Sequence, residues 1–146
     1  MMNQIPKFTW YEATGTTICE INNIRTTAQC HPDDRDFMTR RVGEEIAAAR
    51  AEIISYCQYR DNVLIPGLAA LKQLYYSINH SKQYNKKSYE ARMLYRQIQM
   101  KENDLKEIRA YIKELKEGLR SYIRLKDKGY EIIRAKRASD KKVQSN

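Results

Sequence analysis

The densest group of chemically reactive side chains lies between Cys30 and Asp36. The stretch "CHPDDRD" brings one cysteine, one histidine and three aspartates into seven residues. A tetrahedral metal site needs further ligands at a suitable spacing, and no second cluster in the sequence supplies them. Pro32 fixes φ, and aspartate carboxylates accept hydrogen bonds from the free N–H groups of a first helical turn. We therefore interpret this stretch as a turn that starts a helix.

The sequence offers no other catalytic constellation. Hydrolysis or nucleic-acid cleavage needs a base, a nucleophile or a metal ion held in a defined geometry. The chain has only two histidines, no paired acidic motif, no glycine-rich phosphate loop and no GxGxxG. We expect a protein that is not an enzyme and that uses no metal or cofactor.

Two arginines near the end of the chain form a candidate anion site. Arg120 and Arg124 are four residues apart, so a helix places them on adjacent turns of one face. Two guanidinium groups at this spacing can clamp a pair of phosphates through bidentate, charge-assisted hydrogen bonds. The alternative is a solvated outer face, which is how most cations on long helices are used.

A second mixed stretch, "SYEARMLYRQ" at residues 88–97, sets two tyrosines among two arginines. Aromatic rings beside guanidinium groups are typical of platforms on which nucleic-acid bases stack. A tyrosine-lined interface between subunits has the same composition. The sequence leaves both possibilities open.

The net charge of +9 belongs entirely to the second half of the chain. Residues 1–81 carry eight Lys/Arg and nine Asp/Glu, a balance of −1, whereas residues 82–146 carry nineteen and nine, a balance of +10. This asymmetry indicates an anionic partner such as nucleic acid, a nucleotide or anionic lipid. Three cysteines without CxxC spacing, and no signal peptide at "MMNQIPKFTW", favour reduced thiols in a cytosol. The longest apolar stretch, residues 63–71, is too short to span a membrane.

Three β-prone runs open the chain. "KFTWYEA" and "TTICEIN" alternate in polarity around Thr14-Gly15, and "IRTTAQC" follows Asn22-Asn23. Such turn residues predict a three-stranded antiparallel meander over residues 8–30. Because a small sheet is marginal alone, we expect its apolar face to pack on a helix or on another subunit.

Two long antiparallel helices should follow. The first is predicted over residues 33–80 with a kink near 61–67, where Asp61-Asn62 and Pro66-Gly67 disturb the helical pattern. The second, over residues 88–137, has apolar residues at seven-residue steps that are typical of a coiled-coil seam. These are Ile98, Leu105, Ile112, Leu119 and Ile133, with Lys126 in the remaining place. We predict an α+β fold in a single domain over residues 1–137, dimer-forming, with a flexible tail at 138–146.

The order of these elements, together with the string "HPDDRDF" followed by "VGEEIAAARAE", resembles the Thoeris anti-defence sponge family of bacteriophages over about residues 8–135. The resemblance implies a non-catalytic phage protein in the cytoplasm of the infected bacterial host. It would bind and sequester the cyclic ADP-ribose isomers that TIR-domain enzymes make as alarm signals, so that the effector is never activated. Members look like homodimers that can assemble into hexamers, and some also bind cyclic oligonucleotides at separate sites.

The resemblance also implies a set of ligand-binding residues. The family pocket uses one asparagine, two arginines one turn apart on the last helix, and an aromatic ring that stacks on adenine. The positions that match the polar part of this set are Asn103, Arg120 and Arg124. The aromatic position falls on Met93, with Tyr95 or Tyr89 as the nearest ring, and a thioether covers a purine face more weakly than a ring does.

The spacing of these residues predicts a site shared between two chains. Asn103 and Arg120 are 17 residues apart, which is about 25 Å along a helix. A cyclic ADP-ribose is on the order of half that length, so Asn103 of one chain should meet Arg120 and Arg124 of another across a two-fold axis. Two other functions remain open: a basic helical nucleic-acid-binding or anti-CRISPR-type phage protein, and a coiled-coil adaptor without a ligand.

Overall fold

The computed structural model describes residues 5–30, 40–80 and 89–144. Three strands come first, β1 (Lys7–Tyr11), β2 (Thr16–Ile21) and β3 (Ile24–Gln29). Helix α1 (Arg40–Tyr59), a π-helical segment (Arg60–Leu64) and helix α2 (Ile65–Asn79) follow, and helix α3 (Tyr89–Gln144) is the last element. The predicted α+β class, a three-stranded antiparallel meander followed by long helices, is confirmed.

The sheet is an antiparallel meander in the order β1-β2-β3. Strands β2 and β3 are joined by Asn22-Asn23, and both residues have positive φ, 50° and 64°. Two consecutive residues of positive φ make the turn type whose twist matches that of the flanking strands, and asparagine tolerates this conformation. Gly15 also has positive φ, 64°, at the end of the β1–β2 loop, and its carbonyl accepts a hydrogen bond from the Cys30 N–H at 3.0 Å.

Tertiary contacts divide the chain into two compact units. The first unit contains Met1–Ile54 and Leu115–Asn146, and the second contains Ser55–Glu114. Helices α1 and α3 each contribute one part to each unit. Each unit has its own apolar core, and the single domain over residues 1–137 stays a prediction.

In the first unit, one face of the sheet packs on α1. Register pairs Phe8 with Cys19 and Cys19 with Thr26, which places all three on one face. The Thr26 hydroxyl donates a hydrogen bond of 2.6 Å to the Ala47 carbonyl of α1. The buried members of this core are Cys19, Ile24, Ala28, Val42, Ile46, Ala47 and Ala51, and α3 contributes Leu119, Tyr122 and Ile123 at its edge. Thus the sheet does obtain the helical partner that a three-stranded meander requires.

In the second unit, α2 and α3 run antiparallel. Tyr75 of α2 contacts Tyr95 of α3. Lys72, three residues before Tyr75, forms an ion pair of 2.9 Å with Glu102, seven residues after Tyr95. Leu64 and Leu68 pack against Ile98 and Leu105 to form the buried core, and Leu71, Tyr75 and Ile108 border it. The apolar positions at seven-residue steps are therefore covered here by the chain's own α2.

The helical path is disturbed at residues 60–64, which overlap residues 61–67, where the sequence predicts a kink. The Ile65 N–H donates to the Arg60 carbonyl, five residues earlier, as in a π-helix. Pro66 lacks an N–H and stands in the first turn of α2, so it cannot continue the regular i to i−4 pattern. Residues 33–39 of the predicted first helix lie outside the described residues.

Helix α3 is longer than predicted. It continues to Gln144, seven residues beyond the expected end at 137, through residues assigned from sequence to a flexible tail. No proline or glycine interrupts residues 138–144, and Lys141 and Lys142 in the last turn suit the negative end of the helix dipole. Polarity alone was the reason for predicting a tail, and a polar sequence can still form a helix.

Candidate functional site

The arginine pair lies on the part of α3 that belongs to the first unit. Arg120 and Arg124 are both exposed and stand one turn apart, about 6 Å along the axis. Among the described residues, no carboxylate pairs with either guanidinium group. The pair therefore presents two cationic groups to solvent at a spacing that suits adjacent phosphates.

Asn103 is exposed in the second unit and is engaged with its own helix. Its Nδ2 donates a hydrogen bond of 3.2 Å to Glu107 Oε1, one turn later. A ligand at Asn103 would replace this i,i+4 interaction, which contributes only about 0.2–0.5 kcal/mol. The amide is thus accessible at small energetic cost.

The predicted stacking residues also lie in the second unit. Met93 is 38% exposed and Tyr95 is 50% exposed. The Tyr95 ring packs on Tyr75 with centroids 5.9 Å apart and planes tilted by 42°. One face of Tyr95 is therefore partly used within the unit, and the structure assigns neither residue to a ligand.

The three arginines of α1 differ in their partners. Arg40 pairs with Glu44 at 3.1 Å and Arg41 pairs with Glu45 at 3.0 Å, both as i,i+4 ion pairs. Arg50 instead donates from its Nη1 to the Thr27 carbonyl of β3 at 2.5 Å. The partner of Arg50 is thus a neutral carbonyl of the sheet, whereas the charges of Arg40 and Arg41 are each balanced by a glutamate of α1.

A cleft of about 410 Å³ opens in the first unit among the end of β3, α1 and α3, and we call it the first-unit cleft. Apolar residues of the first-unit core, with Cys30, form its floor, and charged and polar side chains form its rim. Among the described residues, its lining is Ala28, Gln29, Cys30, Val42, Ile46, Arg50, Ile123, Lys126, Asp127, Tyr130, Glu131 and Arg134. Within the described part of the chain, the five ligand-binding residues expected from sequence are not in this lining.

Close to the cleft, a hydrogen bond joins α1 to α3. The Tyr122 hydroxyl donates to Glu45 Oε2, and Glu45 also pairs with Arg41. The bond from Tyr122, followed by that from Arg41, lowers the pKa of the Glu45 carboxyl below its usual value. Burial, followed by the bond to Glu45, raises the pKa of Tyr122 to about 12. The Lys126 ammonium lies 5.4 Å from the centroid of the Tyr122 ring.

The residues that α3 contributes to this cleft are not among those predicted from the sequence. Lys126, Tyr130 and Arg134 recur at four-residue steps, which places them along one face of the helix. Lys126 could have indicated this side of the cleft from the sequence, since it occupies a place that is apolar elsewhere in the seven-residue pattern. A cation in a core position indicates a polar opening next to that core.

Of the reactive cluster at residues 30–36, the structure describes only the first residue. Cys30 is buried at the end of β3, while His31 and the aspartates at 33, 34 and 36 lie outside the described residues. Across residues 5–30, 40–80 and 89–144, no group of three or more His, Cys, Asp or Glu side chains has a metal-binding arrangement. In the same ranges, no helix combines the length and apolarity needed to cross a bilayer.

Comparison with known protein families, curated proteins and solved structures gives no match to this chain.

Proposed function

We propose that this chain is a non-catalytic phage anti-defence protein that binds and sequesters cyclic ADP-ribose isomers. The observation that carries the proposal is the exposed pair Arg120 and Arg124, one turn apart and without a carboxylate partner among the described residues. A cyclic ADP-ribose contains a diphosphate, whose charge and spacing suit two adjacent guanidinium groups. The resemblance of the sequence to the Thoeris anti-defence sponges supports the same ligand.

The ligand requires more contacts than two exposed arginines provide. Sequestration of a dilute signal needs nanomolar affinity, about 12 kcal/mol of binding free energy. Asn103 is separated from Arg120 by 17 residues of α3, so we propose a homodimer in which Asn103 of one copy and the arginine pair of the other hold one ligand. Two-fold symmetry then gives two equal sites, or one ligand per chain.

The test of the arginine pair is a calorimetric titration with cyclic ADP-ribose isomers. The double variant Arg120→Ala/Arg124→Ala should bind about a hundredfold more weakly or worse, since each lost charged hydrogen bond costs about 1.5–3 kcal/mol. The circular dichroism spectrum should stay unchanged, because both side chains are exposed. The same titration on the wild type reports the stoichiometry, for which we expect one ligand per chain.

A matched control separates site chemistry from net charge. Lys128 and Lys136 are exposed cations on the same helix and do not line the first-unit cleft. The variant Lys128→Ala/Lys136→Ala loses the same two charges and should bind like the wild type. Equal weakening in both double variants would remove the arginine pair from the site, and one ligand per two chains would contradict the two-site dimer.

Nucleic-acid binding is the second candidate, and the charge of α3 favours it. Residues 89–144 contain sixteen Lys/Arg and nine Asp/Glu, and most of the cations are exposed. The affinity of a protein for a polynucleotide backbone falls steeply as the salt concentration rises. A small-molecule trap instead binds one ligand tightly and polynucleotides weakly. Tight, salt-sensitive binding to generic DNA or RNA, without binding of cyclic ADP-ribose isomers, would favour this second function.

A further inference from the structure

The three-stranded sheet of the first unit has two outer edges. Strand β2 lies in the middle of the order β1-β2-β3, so β1 and β3 each turn one side of their backbone away from the sheet. Along an antiparallel pair, residues alternate between positions that exchange hydrogen bonds with the neighbouring strand and positions whose N–H and C=O groups point away from it. Groups that point away can bind a further strand unless another part of the protein covers them.

The β2–β3 hairpin shows which residues point in which direction. Ile21 and Ile24 flank a two-residue turn, so they form a hydrogen-bonded pair. Along the ladder, the alternation makes Gly15 and Cys30 a hydrogen-bonded pair as well, and the Cys30 N–H does donate to the Gly15 carbonyl at 3.0 Å. Every second residue of β2, counted from Ile21, therefore bonds to β3, and the residues between them bond to β1.

Phe8 and Trp10 present their backbone groups at the outer edge of β1. They pair with Cys19 and Thr17 of β2, which bond to β3 by this alternation. The N–H and C=O groups of Phe8 and Trp10 therefore point away from the sheet. None of the described residues forms a hydrogen bond with these groups, so within the described part of the chain this edge is open.

The outer edge of β3, in contrast, is covered by α1. Thr27 points away from β2 by the same alternation, and its carbonyl accepts a hydrogen bond from Arg50 Nη1. The Thr26 hydroxyl also donates to the Ala47 carbonyl, which holds α1 over the β3 side of the sheet. A charged side chain on an edge is one of the ways in which proteins prevent a further strand from pairing. A partner strand therefore has access to β1 rather than to β3.

The sequence of β1, "KFTWY", matches itself when two copies pair antiparallel about Thr9. Phe8 of each copy then lies opposite Trp10 of the other, and each of these two pairs exchanges two backbone hydrogen bonds. Lys7 lies opposite Tyr11, so like charges do not face each other. Pairs of aromatic residues, and pairs of threonines, stabilise neighbouring strands. Because Phe8 and Trp10 are only half-buried, the pairing also covers apolar surface that the first unit leaves exposed.

We propose that the outer edge of β1 binds β1 of a second copy and joins the two sheets into one sheet of six strands. The two-fold axis passes between the two Thr9 residues, perpendicular to the sheet. A register shifted by two residues towards the start of the strand is unfavourable, because it places Pro6, which has no N–H, opposite Trp10. This contact is separate from the homodimer proposed at Asn103 and does not require a ligand.

The first experiment traps the contact with a disulfide at Thr9. In the proposed pairing the two Thr9 residues form a non-hydrogen-bonded pair, whose Cα atoms are about 4.5 Å apart, and a disulfide accepts about 4.4–6.8 Å. The variant Thr9→Cys, in a Cys57→Ser background that removes the one native cysteine that is not buried, is oxidised with glutathione disulfide. Covalent dimers are then measured by electrophoresis without reductant.

The matched control is Thr27→Cys in the same background. Thr9 and Thr27 both pair with Ile18, so they lie on one face of the sheet, at opposite edges, and Thr27 is the more exposed of the two. Thr9→Cys should form covalent dimers about tenfold or more faster, because pairing holds its two thiols at an effective concentration of about millimolar. Equal rates in the two variants, or no dimer from Thr9→Cys, would overturn the proposal.

The second experiment leaves the cysteines unchanged and measures the mass of the assembly by light scattering at rising protein concentration. The mass of the wild type should rise, since a short strand pair is a weak contact. Thr9→Lys should remove this rise, because two ammonium groups then face each other, whereas Thr27→Lys should retain it. Circular dichroism checks that both variants are folded. A folded Thr9→Lys protein that assembles like the wild type would contradict the β1 contact, and loss of cyclic ADP-ribose binding in the arginine variants would leave the result unchanged.

Discussion

The polar contacts of the first unit depend on a few side chains. Thr26 links the sheet to α1 through the Ala47 carbonyl, and Tyr122 links α1 to α3 through Glu45. Threonine and tyrosine suit these places because each packs an apolar part against the core and directs one hydroxyl to an acceptor. The surfaces that carry the candidate sites are therefore held by hydrogen bonds as well as by apolar packing.

The Tyr122–Glu45 bond gives a pH-dependent contribution to stability. The pKa of Glu45 is lowered on folding, so its contribution is present above its unfolded pKa and is lost as the pH falls through the folded value. The pKa of Tyr122 is raised from 10.0 to about 12, which favours its neutral form. That contribution is complete below pH 10 and disappears as the pH rises from 10 towards 12.

Replacing Tyr122 by phenylalanine should lower the free energy of unfolding at pH 7 by about 1 kcal/mol, because one hydrogen bond to a charged, solvent-exposed acceptor is lost. Urea denaturation followed by circular dichroism measures this difference. The gap between wild type and Tyr122→Phe should narrow in acid, below the normal pKa of a glutamate, and again above pH 10. A gap that stays constant from pH 3 to pH 11 would show that the bond does not form.

At the scale of elements, local patterns predicted the meander and the helices because they depend on neighbouring residues. Asn22-Asn23 specifies its turn through backbone preferences alone, and alternating polarity specifies strand faces. The element that covers the apolar seam of α3 could not be predicted in this way. Seven-residue spacing marks a covered face but does not say what covers it, and Ile98 and Leu105 are covered by α2 of the same chain.

This packing predicts that Ile98 and Leu105 stabilise the second unit. The variants Ile98→Ala and Leu105→Ala should each lower the free energy of unfolding by about 2–4 kcal/mol, because a large buried side chain is replaced by a cavity. Leu125→Ala is the control, since Leu125 is 69% exposed on the same helix and should change stability by less than about 0.5 kcal/mol. Thermal or urea unfolding checks all three, and equal small effects would contradict the packing of α3 on α2.

At the scale of the whole molecule, charge is the feature that the sequence predicts most directly. The excess of cations in residues 82–146 indicates an anionic partner, and the exposed Arg120 and Arg124 are one consequence. The first-unit cleft was not predictable, because Ala28 and Arg50 are 22 residues apart and Arg134 is a further 84 residues away. Only the tertiary structure brings them to one opening.

The central claim is that the protein captures a cyclic ADP-ribose isomer without changing it. The most direct measurement is incubation of the purified protein with each isomer, removal of free ligand, heat denaturation, and identification of the released molecule by mass spectrometry. We predict recovery of the intact isomer in an amount close to one per chain. Recovery of a linear or hydrolysed product, or of no ligand at all, would contradict the claim.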